Sequence, residues 1–193
     1  MLREGIAAVL ASEEDMSLVA EASNGREAIE QFRTHRPDVT LMDVQMPEVN
    51  GIDAIIKIRE EFPDARIIVL TTYSGDAQAA RAFKAGAAGY LLKNMVRKEL
   101  IDTIRTVYGG KKRIPAEIAV EMAEHHSDDA LTEREIEVLR EVAAGNANKR
   151  VAQRLNVSEE TIKAHMKSIL SKLGANDRTH AVTIALKRGI IEI

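Results

Sequence analysis

The sequence contains no cysteine and no tryptophan, and each absence removes a class of function. Without cysteine there can be no disulfide, no thiolate zinc site and no thiol nucleophile, which is compatible with a reducing cytosol. The few aromatic residues, three Tyr and three Phe, argue against an aromatic-lined metabolite pocket. No apolar run approaches the roughly 20 residues that span a bilayer, and the amphipathic N-terminus does not resemble a signal peptide. We therefore expect a cytoplasmic protein without a membrane segment.

The net charge of −3 conceals an uneven distribution of charge along the chain. Residues 131–193 contain 11 Lys and Arg against 8 Asp and Glu, a net of +3, whereas residues 1–130 contain 16 against 22, a net of −6. An acidic front joined to a mildly basic back indicates two domains with different partners.

Residues 1–109 alternate between helical and strand periodicity. The predicted strands are rich in Val, Ile and Leu, and helical patterns separate them, which together favour a parallel sheet buried on both faces. In such sheets ligands bind at the carboxyl ends of the strands, where Asp43, Thr71 and Lys93 fall. The predicted strands are "MSLVAEA", "DVTLMD", "RIIVLTT" and "GYLLK".

The stretch "LMDVQMPEVNG", residues 41–51, places a single carboxylate, Asp43, at the end of an apolar run. Because a buried charge is costly to desolvate, such a residue is either a structural cap or a group that reacts with something arriving from solvent. The next segment, residues 110–130, is predicted to be a linker in which Pro115 opens a short helix. We expect its adjacent histidines, His125 and His126, to be solvated rather than bound to metal.

Residues 131–193 show a helical period throughout, with four predicted helices. At the start of the first, Thr132 and Glu135 have the spacing of a capping box. The second and third of these, "NKRVAQRL" and "EETIKAHMKSILSKLG", are joined by a short turn and form a candidate helix-turn-helix. An apolar stripe on the third helix is predicted to face inward, so that Lys163 and Lys167 project outward beside the small Ala164. Such a face suits a DNA major groove, although an ordinary surface helix has the same pattern. The predicted inward stripe comprises Ile162, Met166, Ile169, Leu170 and Leu173.

The whole stretch from "LTEREIEVL" through "NKRVAQRLNVSEETIKAHMKSILSKL" to the "RTHA" of the last helix resembles the DNA-binding domain of LuxR-type (NarL/FixJ) regulators. The resemblance implies that Lys163, Ala164 and Lys167 face DNA bases, and that the last helix forms a dimer contact on double-stranded DNA. His165 lies on the same helix and could equally pack against its neighbours. The residues that the resemblance places near DNA phosphates are Lys149, Ser158 and Thr161.

The front half resembles a two-component receiver domain through "LMDVQMPEVNG", "VLTTYSG" and "AGAAGYLLKN". The resemblance implies a flavodoxin-like fold in which Asp43 accepts a phosphoryl group from a sensor histidine kinase. Thr71 and Lys93 would then contact the phosphoryl oxygens, while Tyr90 would reorient to follow Thr71. Asp43 and the main-chain carbonyl of Gln45 would contribute to a Mg²⁺ site.

The chain departs from the receiver pattern at its start. Receivers of this class begin with a strand that ends in two acidic residues, and this sequence begins at the "MLREG" segment that follows such a strand. We therefore expect residues 16–22 to lack a strand partner and the Mg²⁺ site to be incomplete. Either Met1 is an internal methionine of a longer regulator, which we favour, or the protein is naturally shortened and acts without phosphorylation.

The sequence thus predicts an α/β receiver domain at 1–109, a linker at 110–130 and an all-α four-helix DNA-binding domain at 131–193. The predicted function is a dimeric transcription regulator of a phosphorelay, with RNA polymerase as a further partner. The alternatives are a phosphorylation-independent regulator and a protein-interaction module. A phosphatase usually has a second carboxylate two residues after its nucleophile, and position 45 is Gln. We therefore expect no enzymatic activity.

Overall fold

The computed structural model describes residues 2–72, 75–124 and 130–191, apart from the side chain of residue 124. The predicted solvated histidines, His125 and His126, lie outside these residues. The chain divides into two compact units. The first comprises Met1–Thr72 and Ala79–Ala119, and the second comprises Tyr73–Gln78 and Val120–Ile193.

A three-stranded parallel sheet forms the centre of the first unit. Its strands β1 (Thr40–Asp43), β2 (Ile67–Thr71) and β3 (Gly89–Leu92) lie side by side in the order of the chain. Every residue of β2 is buried, as expected for a strand covered on both faces. The register places Asp43 opposite Leu70 and Thr71 opposite Leu92, so the carboxyl ends of all three strands meet at one edge. The predicted α/β receiver architecture is confirmed.

Helices cover both faces of this sheet. Asn24 and Asn50 cap two of them, because each amide oxygen accepts a hydrogen bond from a backbone N–H of the first helical turn. One apolar cluster joins Ile6 and Leu100 of two helices to Ile68 of β2. The helices of this part of the chain are α1 (Leu2–Leu10), α2 (Gly25–His35), α3 (Gly51–Glu61), α4 (Asp76–Lys84), α5 (Val96–Tyr108) and α6 (Ala116–Glu124), with a 3₁₀ turn at Lys93–Met95.

The prediction of a strand at residues 16–22 is wrong, because the structure shows no strand there. Leu18 and Val19 are 46% and 50% exposed. A strand requires a hydrogen-bonded neighbour, and within the described residues β1 pairs only with β2. At the opposite edge of the sheet, Arg113 exchanges backbone hydrogen bonds with residues next to and within β3. The alternating apolar pattern of residues 16–22 therefore remains without a ladder.

Four helices form most of the second unit, as predicted: α7 (Glu133–Ala143), α8 (Asn148–Leu155), α9 (Glu159–Leu173) and α10 (Arg178–Lys187). The predicted capping box at the start of α7 is confirmed, with Thr132 and Glu135 hydrogen-bonding reciprocally. Within the described residues, no helix is both long enough and apolar enough to span a membrane. The buried residues of this unit's core include Val138, Leu139, Val142, Val151, Ala152, Ile162, Met166, Ile169, Ala181 and Ala185.

Candidate functional site

The carboxyl edge of the sheet brings together Asp43 and Lys93, which are 50 residues apart in the chain. Asp43 is the last residue of β1, and Lys93 follows β3 directly. The Lys93 ammonium Nζ donates to Asp43 Oδ2 over 2.6 Å, while the Gln45 backbone N–H donates to Asp43 Oδ1 over 3.0 Å. Both side chains are partly accessible, 31% for Asp43 and 24% for Lys93. The carboxylate is thus reachable from solvent and held by hydrogen bonds on both of its oxygens.

The loop after Asp43 is held by a close approach between backbone segments. Gly51 begins α3, and its N–H donates to the carbonyl of Val44 over 2.9 Å. A Cβ added at Gly51 would lie 2.0 Å from the Asp43 carbonyl oxygen, so only glycine fits without displacement. Within the same loop, Glu48 has a left-handed backbone with φ of 64°. The glycine therefore fixes where the Asp43 strand end stands relative to α3.

Thr71 and Tyr90, the predicted switch residues, are both buried, with 2% and 1% exposure. Burial raises the pKa of the Tyr90 hydroxyl to about 12, and its hydrogen bond with Thr71 offsets part of that rise. The Tyr90 ring also packs at a tilt against Phe83, with the ring centroids 6.4 Å apart. The structure therefore joins the end of β2 to β3 through one hydroxyl pair inside the core.

The predicted metal ligands at Asp43 do not by themselves form a site that fits Mg²⁺. Both carboxylate oxygens already accept hydrogen bonds, and one partner is a cation. Gln45, whose main-chain carbonyl is the second predicted ligand, donates its backbone N–H to the carboxylate. The described part of the chain has no group of three or more His, Cys, Asp or Glu that could hold a metal ion. Mg²⁺ prefers oxygen ligands in near-octahedral geometry, and the two predicted ligands are too few to supply it.

The second cluster of predicted residues lies on and around α9. Ser158 caps this helix by accepting from the Thr161 backbone N–H, and its hydroxyl also hydrogen-bonds to that of Thr161 at 2.8 Å. Asn156, in the left-handed conformation with φ of 52°, ends α8 and makes the turn between the two helices. The predicted helix-turn-helix is therefore present, and two of the three predicted phosphate contacts, Ser158 and Thr161, also serve to start α9.

The outward face of α9 is exposed as the sequence predicts. Ile162, Met166 and Ile169 are buried against the other three helices, and Lys163 and Lys167 lie on the solvent side. This arrangement follows from the 3.6-residue period, since positions three and four apart share one face. His165 lies between the two faces and is partly buried. The predicted contacts that are exposed are Lys149, Ser158, Lys163, Ala164 and Lys167.

A buried carboxylate holds α9 in place, and the sequence predicted only its capping role. Glu135 of α7 is 4% exposed and accepts hydrogen bonds from the Ser168 hydroxyl (2.6 Å) and the Lys172 ammonium (2.8 Å). Burial would raise the pKa of Glu135, but the hydrogen bonds from Lys172, Ser168 and Thr132 outweigh it and lower the pKa to about 2. The capping-box spacing identified Glu135, whereas the contacts to α9 depend on how the helices pack.

Comparison with known families identifies both halves of the chain. Residues 1–105 match the response regulator receiver domain, and residues 129–185 match the bacterial regulatory proteins of the luxR family. The transcriptional regulatory protein LnrK of Bacillus subtilis is 35% identical over 98% of this chain and 94% of its own length. The response regulator VraR of Staphylococcus saprophyticus is 33% identical over 100% of this chain and 94% of its own.

A solved structure of a relative is similar to this chain over almost its whole length. RcsB of Salmonella enterica serovar Typhimurium, bound to promoter P1flhDC in the presence of the phosphomimetic BeF3⁻, is 27% identical with a TM-score of 0.72. The similarity extends over 97% of this chain and 93% of that protein. The receiver match, the luxR-family match and the full-length relatives agree, and the chain therefore belongs to the LuxR-family response regulators, which are transcriptional regulators.

Proposed function

We propose that this protein binds specific DNA sequences through the exposed face of α9, and that Asp43 is its phosphoacceptor position. The exposed lysine face carries the proposal: Lys163 and Lys167 lie one turn apart on a helix held from behind by apolar packing. Lysine ammonium groups donate hydrogen bonds to guanine O6 and N7 in the major groove. Between them Ala164 leaves room for the helix to approach the base edges.

Three further residues would position the helix on the DNA backbone. Lys149 is exposed at the start of α8, while Ser158 and Thr161 carry hydroxyls at the start of α9. Phosphate contacts of this kind fix the register of a protein on DNA and release counterions, so affinity falls steeply as salt rises. The relatives support a homodimer on double-stranded DNA, since a solved structure contains two RcsB dimers bound to two parallel DNAs.

A double substitution on α9 tests the DNA-binding proposal. Lys163→Ala with Lys167→Ala should weaken binding to the preferred sequence by roughly a hundredfold or more, because each base contact contributes about 1–3 kcal/mol. The measurement is a gel-shift titration against promoter fragments of the protein's own genome. Lys111→Ala with Lys112→Ala removes the same charge from two exposed lysines of the first unit and serves as the control. Unchanged sequence-specific affinity in the Lys163 and Lys167 variant would overturn the proposal.

Asp43 is proposed as the acceptor because its carboxylate ends a strand and is reachable from solvent. In the transfer, a carboxylate oxygen would bond to phosphorus as the bond from phosphorus to the phosphohistidine nitrogen of a sensor kinase breaks. The leaving imidazole retains the electron pair of that bond. Lys93, 2.6 Å away, would then donate to the phosphoryl oxygens, as would the Thr71 hydroxyl after a rearrangement.

We assign RNA polymerase as the downstream partner, the cytoplasm as the location, and no enzymatic activity.

A second candidate function is regulation without phosphorylation, which the hydrogen bonding of the Asp43 carboxylate favours. Both Asp43 oxygens accept hydrogen bonds, and the described residues contain no cluster of three or more His, Cys, Asp or Glu that could hold a metal ion. Incubation with a small phosphodonor and Mg²⁺, followed by mass measurement, should label the protein weakly, and Asp43→Asn should remove the label. DNA affinity should be the same with and without the donor. Robust labelling at Asp43 with a gain in DNA affinity would reject this candidate, and labelling that survives Asp43→Asn would reject Asp43 as the acceptor.

A further inference from the structure

The exposed face of α9 carries an acidic residue beside its lysines. Glu160 is the second residue of the helix, and its side chain is 83% exposed. The Lys163 ammonium donates to Glu160 Oε2 over 3.2 Å. Glu160, Lys163, Ala164 and Lys167 occupy positions i, i+3, i+4 and i+7, so they form one stripe along the helix. Any DNA that meets the lysines therefore also meets this carboxylate.

Bringing a carboxylate to DNA costs free energy unless a hydrogen-bond donor on the DNA pairs with it. The phosphates around the groove repel its charge, and removal from water leaves its lone pairs unsatisfied. The donors in the major groove are the exocyclic amino groups, N4 of cytosine and N6 of adenine. A carboxylate has only acceptors and suits cytosine, whereas adenine offers a donor beside an acceptor and suits an amide.

Because Glu160 lies next to Lys163, the two side chains together can recognise one particular base pair. A G·C pair presents guanine acceptors and the cytosine donor side by side in the major groove. An ammonium and a carboxylate already hydrogen-bonded to each other on one helix face match that pattern of acceptors and donor. The Glu160–Lys163 pair is local and exposed, so opening it toward the bases costs little.

We propose that Glu160 is a specificity-determining residue that accepts a hydrogen bond from cytosine N4 while Lys163 donates to guanine. The inference rests on the proposed DNA-binding function of α9 and adds the base class recognised at its first turn. In this proposal the carboxylate lowers the affinity for DNA in general and raises the discrimination at one base-pair position.

The test is selection from a randomised double-stranded DNA library, followed by gel-shift competition with every single-base variant of the selected site. Glu160→Gln should change the preference at one position from cytosine to adenine, because an amide pairs with adenine N6 and N7. Glu160→Ala should lose roughly tenfold of the discrimination at that position and bind non-specific DNA more tightly. Glu159→Gln is the matched control, since residue 159 has the same charge but points about 100° away around the helix.

The outcomes separate this inference from the function on which it depends. If wild type selects a sequence and both Glu160 variants keep its base preferences while binding all DNA more tightly, the carboxylate only repels phosphates and the inference is wrong. A shift in preference caused equally by Glu159→Gln would also overturn it. If wild type selects no sequence at all, the proposed DNA-binding function itself fails.

Discussion

The two candidate sites of this protein are held by different kinds of interaction. At the carboxyl edge of the sheet, Asp43 is fixed by backbone fit: strand register on one side and the contact with Gly51 on the other. In the second unit, α9 is fixed by side chains, namely an apolar stripe and the buried Glu135. The backbone contact at Gly51 leaves almost no room for an added atom. The support of α9 depends on the hydrogen bonds that the Glu135 carboxylate accepts. Substitutions should therefore affect the two sites through different mechanisms.

The largest effect is expected from breaking the side-chain support. Glu135→Ala removes the carboxylate that accepts hydrogen bonds from Ser168 and Lys172, and both donors lose this partner. We therefore expect a loss of about 3 kcal/mol in unfolding free energy at pH 7. The pKa of about 2 agrees with this size, since each pKa unit corresponds to about 1.36 kcal/mol. Chemical denaturation measures the loss, with the exposed Glu133→Ala of the same helix turn as the control.

The sign of the pH dependence sharpens this prediction. Because folding lowers the pKa of Glu135, its contribution is present above the unfolded value near 4.5 and disappears as the pH falls through about 2. The stability difference between wild type and Glu135→Ala should therefore shrink as the solution is acidified. A difference that stays constant from pH 7 to pH 2.5 would contradict the assignment of the carboxylate as the stabilising species.

Breaking the backbone fit should have the next largest effect. Gly51→Ala places a Cβ 2.0 Å from the Asp43 carbonyl oxygen, so the loop and strand end must shift, at about 2 kcal/mol of unfolding free energy. Gly5→Ala is the matched control: its Cβ meets nothing within 4 Å, and alanine favours the helix, so that variant should gain up to about 1 kcal/mol. Thermal denaturation of both variants checks the pair. Equal behaviour of the two would show that the contact at Gly51 relaxes freely.

The smallest effect is expected at the hydroxyl pair that joins β2 to β3. Tyr90→Phe keeps the buried ring and its contact with Phe83 but removes the hydrogen bond to Thr71, which should cost about 1 kcal/mol. Tyr108→Phe, at a position 58% exposed, should change stability by less than half as much. Equilibrium unfolding in urea distinguishes the two variants. A Tyr90→Phe protein as stable as wild type would show that the hydroxyl pair contributes nothing to the fold.

Much of the fold followed from local patterns. The α8 helix was predicted at the residues where it occurs, because "NKRVAQRL" lies in a segment with a helical period throughout. The strand at residues 16–22 was wrong, since alternation describes a strand's faces and does not supply its hydrogen-bond partner. The periodicity placed Asp43 and Lys93 at two strand ends on one edge, and the resemblance to receivers implied that they act together. Their 2.6 Å contact depends on how β1 and β3 flank β2.

The sequence by itself determined the order of the elements, the apolar side of α9 and the chemical type of each exposed residue, because periodicity and capping act within a few residues. Tertiary structure alone decided that Glu135 would support α9 and that Tyr90 would meet Thr71. Those contacts join residues from separate elements, and their energies depend on burial, which no local pattern contains. The role of Glu160 depends on both: spacing places it beside Lys163, and the structure shows the ion pair.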